Sequence, residues 1–559
     1  MTVSQAAPPA APAPPDFPVA FAAGDEQLFW QQDKMHFPAQ VLPLEGELMA
    51  TAPGRGMTHA FRVYEAPMEA MRVRIEHGYV YNSIVPVPGE PEELEALGRR
   101  AESVLMPVMA RLGDKWEAEW LPEIHRHLEV MEALDLATAS VPELAAHLDE
   151  VVARYARLWE VHMELVLPAY LAISEFDEFH RDLVDGDTFD AYRLLQGIPS
   201  KTTEIALDLW RLSRVAVASP EVAGMLASTA AADVPAVLGR SDAGRVFLDA
   251  LDEHLRRYGH RSATWGLAGA SFIEDPAPVV QILKDYAAKP DGEGPDSEQE
   301  RQAREREAAI GATRELLRAY PVPVREQFEA LLAAAHAGIV LSEDHNFWID
   351  FYASDLVRQT ILELGRRLTD AGVLDAAHDA LYLTLDELRT SARDPLTGRR
   401  ALVAERRAHL AAYAGAAPPP VLGTLPPGPP PENPMMLAMG KFFGAPAAPA
   451  AEPGVIAGAA GAAGTVTGVA RVVRTLDDAG RLAAGEVLVA QTTAPPWTPL
   501  FGVAAAVVTD TGGILSHCAV VAREYGIPAV VGTAVATAAI HDGDVVEVDG
   551  DAGTVRIVR

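Results

Sequence analysis

Between residues 25 and 413, apolar residues recur at three- and four-residue spacing, the mark of helices that bury one face. The clearest run is 142–167, PELAAHLDEVVARYARLWEVHMELVL; residues 203–215, 314–338 and 351–368 repeat it. From residue 466 the period shortens. Short β-branched runs at 466–473, 486–490, 504–509, 529–532, 545–548 and 554–558, each bounded by Gly, Asp or Pro, predict strands, with one helix at 516–525. The pattern predicts a multidomain chain: a mostly α-helical body plus a small C-terminal α/β domain.

Composition sets the boundaries. Residues 1–24 are an Ala/Pro tail expected to be disordered. The body is 25–413, a Pro/Gly/Ala-rich linker is 414–464, and the α/β domain is 465–559. Proline-rich stretches are semi-rigid spacers and Gly/Ala stretches flexible ones. A hydrophobic island at 435–443 interrupts the linker and is expected to dock on the body. Gly458, Gly461 and Gly464 have the spacing of a phosphate loop, but no strand is predicted before them, so they read as spacer. A charged insert at 289–306 is expected to begin as a mobile loop and continue into a helix.

Charge and cysteine usage narrow the class. Lys plus Arg number 46 and Asp plus Glu 78, a formal charge of −32. With no dense basic cluster, such a chain repels nucleic acid and anionic lipid, so neither is an expected partner. No apolar run of about 18 residues suggests a membrane-spanning helix, and the first twenty residues lack the basic start and apolar stretch of a secretory signal, so none is expected. Cys518 is the one cysteine, which excludes an internal disulfide and a multi-cysteine zinc site. A reducing, cytoplasmic setting is expected.

The segment 507–532, VVTDTGGILSHCAVVAREYGIPAVVG, carries the chemistry. An apolar strand runs into Thr511, Gly512 and Gly513; Ser516 and His517 then open an apolar helix, with Arg523 two turns on. Adjacent glycines turn the backbone sharply, and a helix start presents unpaired N–H groups and partial positive charge. An anion carried on His517 would meet a binding site there, to which Arg523 can add a forked donor. A neutral imidazole is a nucleophile toward phosphorus. By spacing alone, the plainer reading of His517 as a residue that merely caps a helix is the favoured one.

The segment resembles the phosphohistidine signature of the PEP-utilising enzyme superfamily, approximately Gly-Gly-x-Thr-x-His-x-x-x-x-x-Arg, matched at Gly512, Gly513, His517 and Arg523. YGIPAVVG at 525–532, GVARVV at 468–473 and PPWTPLF at 495–501 fit the same domain. The resemblance implies a swivelling β/β/α domain phosphorylated at His517. Leu515 stands at the signature threonine, so the regulatory phosphorylation site of plant-type dikinases is missing; Cys518 replaces a small residue and reads as a buried hydrophobe.

The body is similar to the substrate-binding region of rifampicin-phosphotransferase-like proteins. The likeness rests on FWQQDKMHFPAQVLPLEGEL (29–48), DAYRLLQGIPSKTTEIALDLWRLS (190–213), RRYGHRS (256–262), DHNFWIDFYASDLVRQTILELGRRL (344–368) and HDALYLTLDELR (378–389). Relatives continue Tyr-Gly-His-Arg into an acidic segment; here Ser-Ala-Thr-Trp-Gly follows Arg261. The familiar enzymes place an ATP-grasp module before this body, whereas some 25 residues precede it here and no GxxxxGK[ST] loop occurs. The nearest architecture is the catalytic-histidine subunit of phenylphosphate synthase. That resemblance implies no cofactor bound directly, with ATP and magnesium on a separate ATP-grasp protein.

Transfer to an acceptor needs an aligned oxygen, cations around the phosphoryl group and a base for the hydroxyl proton. The candidates are His260, Arg261, Lys201, His345, Arg406 and Arg407. Each has a plainer reading, as a structural histidine or an exposed ion-paired helix face. Glu343, Asp344, His345 and Asn346 are adjacent on a helix and point in different directions, so no metal site is expected there. Phe29, Trp30, Trp210, Trp265, Phe347 and Trp348 are expected mainly in the core, some lining an apolar pocket. The expected function is a phosphotransferase subunit relaying a phosphoryl group through His517 to the hydroxyl of a small-molecule alcohol or phenol. The alternatives are a phosphorylation-responsive adaptor or ligand-binding protein, and a dehydratase acting through a transient phosphate ester.

Overall fold

The computed structural model describes residues 17–184, 189–426, 433–444, 454–493 and 497–558. The chain forms two compact units: Met1–Pro168 with Gly266–Ala268 and Trp348–Asn433, and Ala169–Trp265 with Gly269–Phe347 and Pro434–Arg559. Among the described residues no helix is long and apolar enough to cross a membrane.

The first unit is helical, as its apolar periodicity predicts, but it also holds a four-stranded antiparallel sheet. Its strands are β1 (Phe29–Gln32), β2 (Met68–Glu76), β3 (Tyr79–Pro86) and β4 (Val421–Gly423), in the order β2-β3-β1-β4. The body is thus mostly α-helical, as expected, with this small sheet in addition. β2 and β3 pair up to Glu76 opposite Tyr79, and the two residues between, His77 and Gly78, have φ of 51° and 89°. Positive φ at both turn positions matches the right-handed twist of a hairpin. Part of the segment expected to be disordered is packed. Phe17 is buried among Trp30, Tyr79, Tyr81 and Leu422, edge-on to His77 at 4.9 Å. Residues 1–16 lie outside the described residues.

The second unit joins helices to the α/β domain. Helices Lys201–Ala218, Pro220–Ser228, Asp242–Tyr258 and Ala277–Ala288 enclose one core built on Trp210, Phe247, Leu251 and Leu283. The charged insert becomes helical at Pro295, opening helix Pro295–Leu317. A second core joins Ile173, Phe176, Tyr192 and Phe328 of the helices to Phe442 and Leu515.

The C-terminal sheet has eight strands: β5 (Val455–Ala457), β6 (Ala459–Ala462), β7 (Thr465–Val472), β8 (Val487–Ala490), β9 (Ala506–Thr509), β10 (Ala529–Val531), β11 (Val545–Asp549) and β12 (Thr554–Ile557). Their order is β5-β12-β11-β7-β8-β9-β10-β6, with β7 to β10 parallel. β5 and β6 correct the spacer reading of 455–462. The small residues there are a packing requirement: a Cβ on Gly458 would lie 2.6 Å from Val531 O, and one on Gly461 3.1 Å from Ala529 O. Of the expected linker, 427–432 and 445–453 lie outside the described residues, and the island between forms helix Pro434–Phe443.

Candidate functional site

β9 is buried along its whole length and ends at the loop Asp510-Thr511-Gly512-Gly513. The Asp510 carboxylate fixes that end: Oδ1 accepts from Thr537 N at 3.0 Å, and Oδ2 accepts from the Thr537 hydroxyl. Thr511 Oγ1 donates to Gln491 O at 3.1 Å. Gly512 has φ of 101°, where a side chain would be strained. At Gly513 the constraint is space, since a Cβ there would lie 2.2 Å from Lys441 O. Ser516 then caps the helix His517–Tyr525, its Oγ accepting from Ala519 N at 3.5 Å. Gly526 ends the helix in the left-handed conformation.

His517 thus opens a helix at the carboxyl end of parallel strands, where open α/β sheets bind ligands. Its ring is half-buried, with the Phe501 ring 6.4 Å away and nearly perpendicular, and Nε2 is shielded from solvent. Arg523, half-buried on the same helix, donates from Nη1 to Gly461 O at 2.7 Å and Ile514 O at 2.8 Å. Its guanidinium lies 4.7 Å over the Tyr192 ring, and desolvation lowers its pKa. Here Arg523 braces the loop before His517. Burial pushes the Cys518 thiol up to about 12, so it stays protonated near neutral pH.

A second cluster lies in the helices of the same unit. Ser200 caps helix Lys201–Ala218; Lys201 N donates to Asp344 Oδ1 at 2.7 Å, and Lys201 Nζ to Glu204 Oε2 at 2.8 Å. Thr202 Oγ1 donates to Glu343 Oε2 at 2.8 Å. Arg261 is buried, its pKa drawn down to about 10 by desolvation against the pull of Glu343. Desolvation raises Glu343 to about 7 and Asp344 to about 6. Glu524, near the end of the His517 helix, is raised to about 8, chiefly by desolvation and then by the like charge of Glu343.

The structure therefore brings Lys201 and Arg261 to one acidic cluster. His260, next to Arg261, is buried. His345 is buried and directs Nδ1 to Leu341 O at 2.5 Å. Arg406 and Arg407 belong to the other unit. There Arg406 spans both oxygens of Glu387 at 2.5 and 2.9 Å, and Arg407 donates to Asp379 Oδ1 at 2.7 Å. Glu343, Asp344 and Glu524 were not among the sequence candidates. Their signal was adjacency, Glu343 and Asp344 beside His345 and Glu524 beside Arg523, but only burial makes those carboxyls unusual.

A large helical body followed by a C-terminal α/β region, whose mixed sheet places His517 at a helix start, defines a multidomain protein. Family models for the rifampicin phosphotransferase fourth domain and the PEP-utilising enzyme mobile domain match residues 162–343 and 482–553. Both matches support a likeness to the PEP-utilising enzyme superfamily. A chondramide synthase of Chondromyces crocatus is 40% identical over 98% of this chain and 14% of its own length. An uncharacterized phosphotransferase of Bacillus subtilis is 27% identical over 96% of this chain and 62% of its own. A rifampicin phosphotransferase of Streptomyces is 30% identical over 79% of this chain and 50% of its own. The chain thus spans between 14% and 62% of the length of these three relatives.

Proposed function

We propose that this chain relays a phosphoryl group through His517 to a hydroxyl of a small organic acceptor. The observation that carries the reading is His517 itself, first in a capped helix after a Gly-Gly turn, within the stretch matched by the mobile-domain model. A ring nitrogen attacks the donor phosphorus; a P–N bond forms as the donor P–O bond breaks. The acceptor oxygen then attacks the same phosphorus, the P–N bond breaks, and the hydroxyl proton passes to a base. Glu343, with a pKa near 7, is suited to that base; Arg261 supplies positive charge beside it, and Lys201 beside the neighbouring Asp344.

ATP and magnesium are assigned to a separate ATP-grasp protein, in line with the likeness to the histidine subunit of phenylphosphate synthase, and the setting to the cytoplasm. The relative named a rifampicin phosphotransferase favours an alcohol or phenol of natural-product type as acceptor. The test is to incubate the chain with ATP, magnesium and an ATP-grasp partner, then map the label at alkaline pH, where phosphoramidates survive. One phosphoryl group on His517, lost in His517→Ala, is expected. Undiminished product formation by His517→Ala would refute the relay. A second reading, elimination from a transient phosphate ester, starts from the same loaded His517. It predicts a dehydrated product and free phosphate.

A further inference from the structure

Helix Pro434–Phe443 stands between the helices of the second unit and the glycine loop before His517, and it holds both. On the helical side, Lys441 Nζ lies 2.6 Å from Asp177 Oδ2, 2.6 Å from Glu178 Oε1 and 3.4 Å from Ser174 O. The Lys441 side chain is 6% exposed and that of Asp177 0%, so this is a desolvated ion pair. Such a charge is tolerated inside a protein only while it is paired. Next to it, Phe442 stacks on Tyr170 with ring centroids 3.5 Å apart.

On the other side the helix uses its last carbonyls, which have no partner within the helix. Lys441 O accepts from Leu515 N at 2.7 Å, and Phe442 O accepts from Gly513 N at 3.0 Å. The contact is too close for a side chain: a Cβ on Gly513 would meet Lys441 O at 2.2 Å, and one on Gly444 would meet Gly512 O at 2.9 Å. Two N–H groups of the glycine loop are therefore committed to this helix, while Nε2 of His517 is shielded from solvent. An anion cannot use those two N–H groups until the helix lets go.

We propose that Pro434–Phe443 is a clasp: anchored by Lys441, it fastens the glycine loop to the helices and must open for the His517 domain to leave them. The proposal rests on the relay reading only for the reason the domain should leave; the fastening stands on the contacts. It makes Lys441 a positioning residue that acts through the loop and touches no reacting atom.

Hydrogen–deuterium exchange on the full chain, read by mass spectrometry, tests it. Lys441→Met keeps an unbranched stem and removes the ammonium. Peptides covering 511–517 are expected to exchange at least tenfold faster, with peptides covering 545–549 in the sheet unchanged. Wild-type rates at 511–517 would overturn the clasp. Should Lys441→Met also quicken 545–549, the fold is lost, and Phe442→Ala, which spares the ion pair, decides instead. Faster exchange confined to 511–517 then supports the clasp, and no change there overturns it. His517→Ala keeps the two ideas apart, since it removes phosphoryl capture under the relay reading while leaving the clasp contacts and their exchange as in the wild type.

Discussion

Glu343 is held well above the usual carboxylate range by desolvation, with only Thr202 and Arg261 favouring its charge. The folded state therefore binds its proton more tightly than the unfolded state does. Between about 4.5 and 7 the folded chain carries more protons, so this group's contribution to stability falls as pH rises through that window. Glu343→Gln is expected to flatten that part of the profile of Tm against pH. If Glu343 is the acceptor-side base, the same variant slows transfer to the acceptor by about 10²–10⁴-fold and leaves loading of His517 intact. Rapid-quench assays of the two half-reactions separate these effects. Arg523 makes a different case. Its Nη1 serves Gly461 O and Ile514 O together. A lysine ammonium lacks the planar fork, so Arg523→Lys is expected to cost about 1–3 kcal/mol of stability, measurable by urea unfolding. The glycines, Ser516, His517 and Arg523 were legible as a motif in the sequence. That Arg523 spends its donors on backbone carbonyls was not, because a spacing shows which residues can meet but not what they bond.

Among the elements, the strands with β-branched runs and the amphipathic helices declared themselves, since burial of one face imposes a period on the sequence. Two kinds of element did not. β2 does alternate, Met71, Val73 and Ile75 on one face and Arg72, Arg74 and Glu76 on the other, but the run is short and set among helical patterns, and its two-residue turn is His-Gly rather than a commoner pair. Beyond Val455 and Ile456, β5 and β6 are wholly Gly and Ala, a composition that reads as spacer. Their residues are small because β6 pairs tightly with β10, Val531 opposite Ala459 and Ala529 opposite Ala462. Gly458→Ala tests this. A methyl group 2.6 Å from Val531 O forces the β5–β6 turn to shift. The expected loss is about 1–3 kcal/mol in denaturant unfolding, against a few tenths for the same change in a true spacer. A neutral or stabilising result would restore the linker reading of 455–462.

Across the whole molecule, the sequence shows a helical region followed by an α/β domain, and both are present. The division into units follows neither boundary. One unit gathers Ala169–Trp265, Gly269–Phe347 and Pro434–Arg559, and the helix Val141–Leu183 contributes residues to both units. Contacts between segments so far apart in sequence leave no local periodicity to read. The proposed chemistry is likewise a property of the assembled molecule, since His517 must be charged in one place and discharged in another. The most direct test is to load the chain with labelled phosphoryl from ATP and an ATP-grasp partner, remove the nucleotide, and then add an acceptor alcohol. The account predicts that label on His517 disappears as an equal amount appears on the acceptor, and that His517→Ala neither loads nor transfers. Label reaching the acceptor at the wild-type rate through His517→Ala would contradict it.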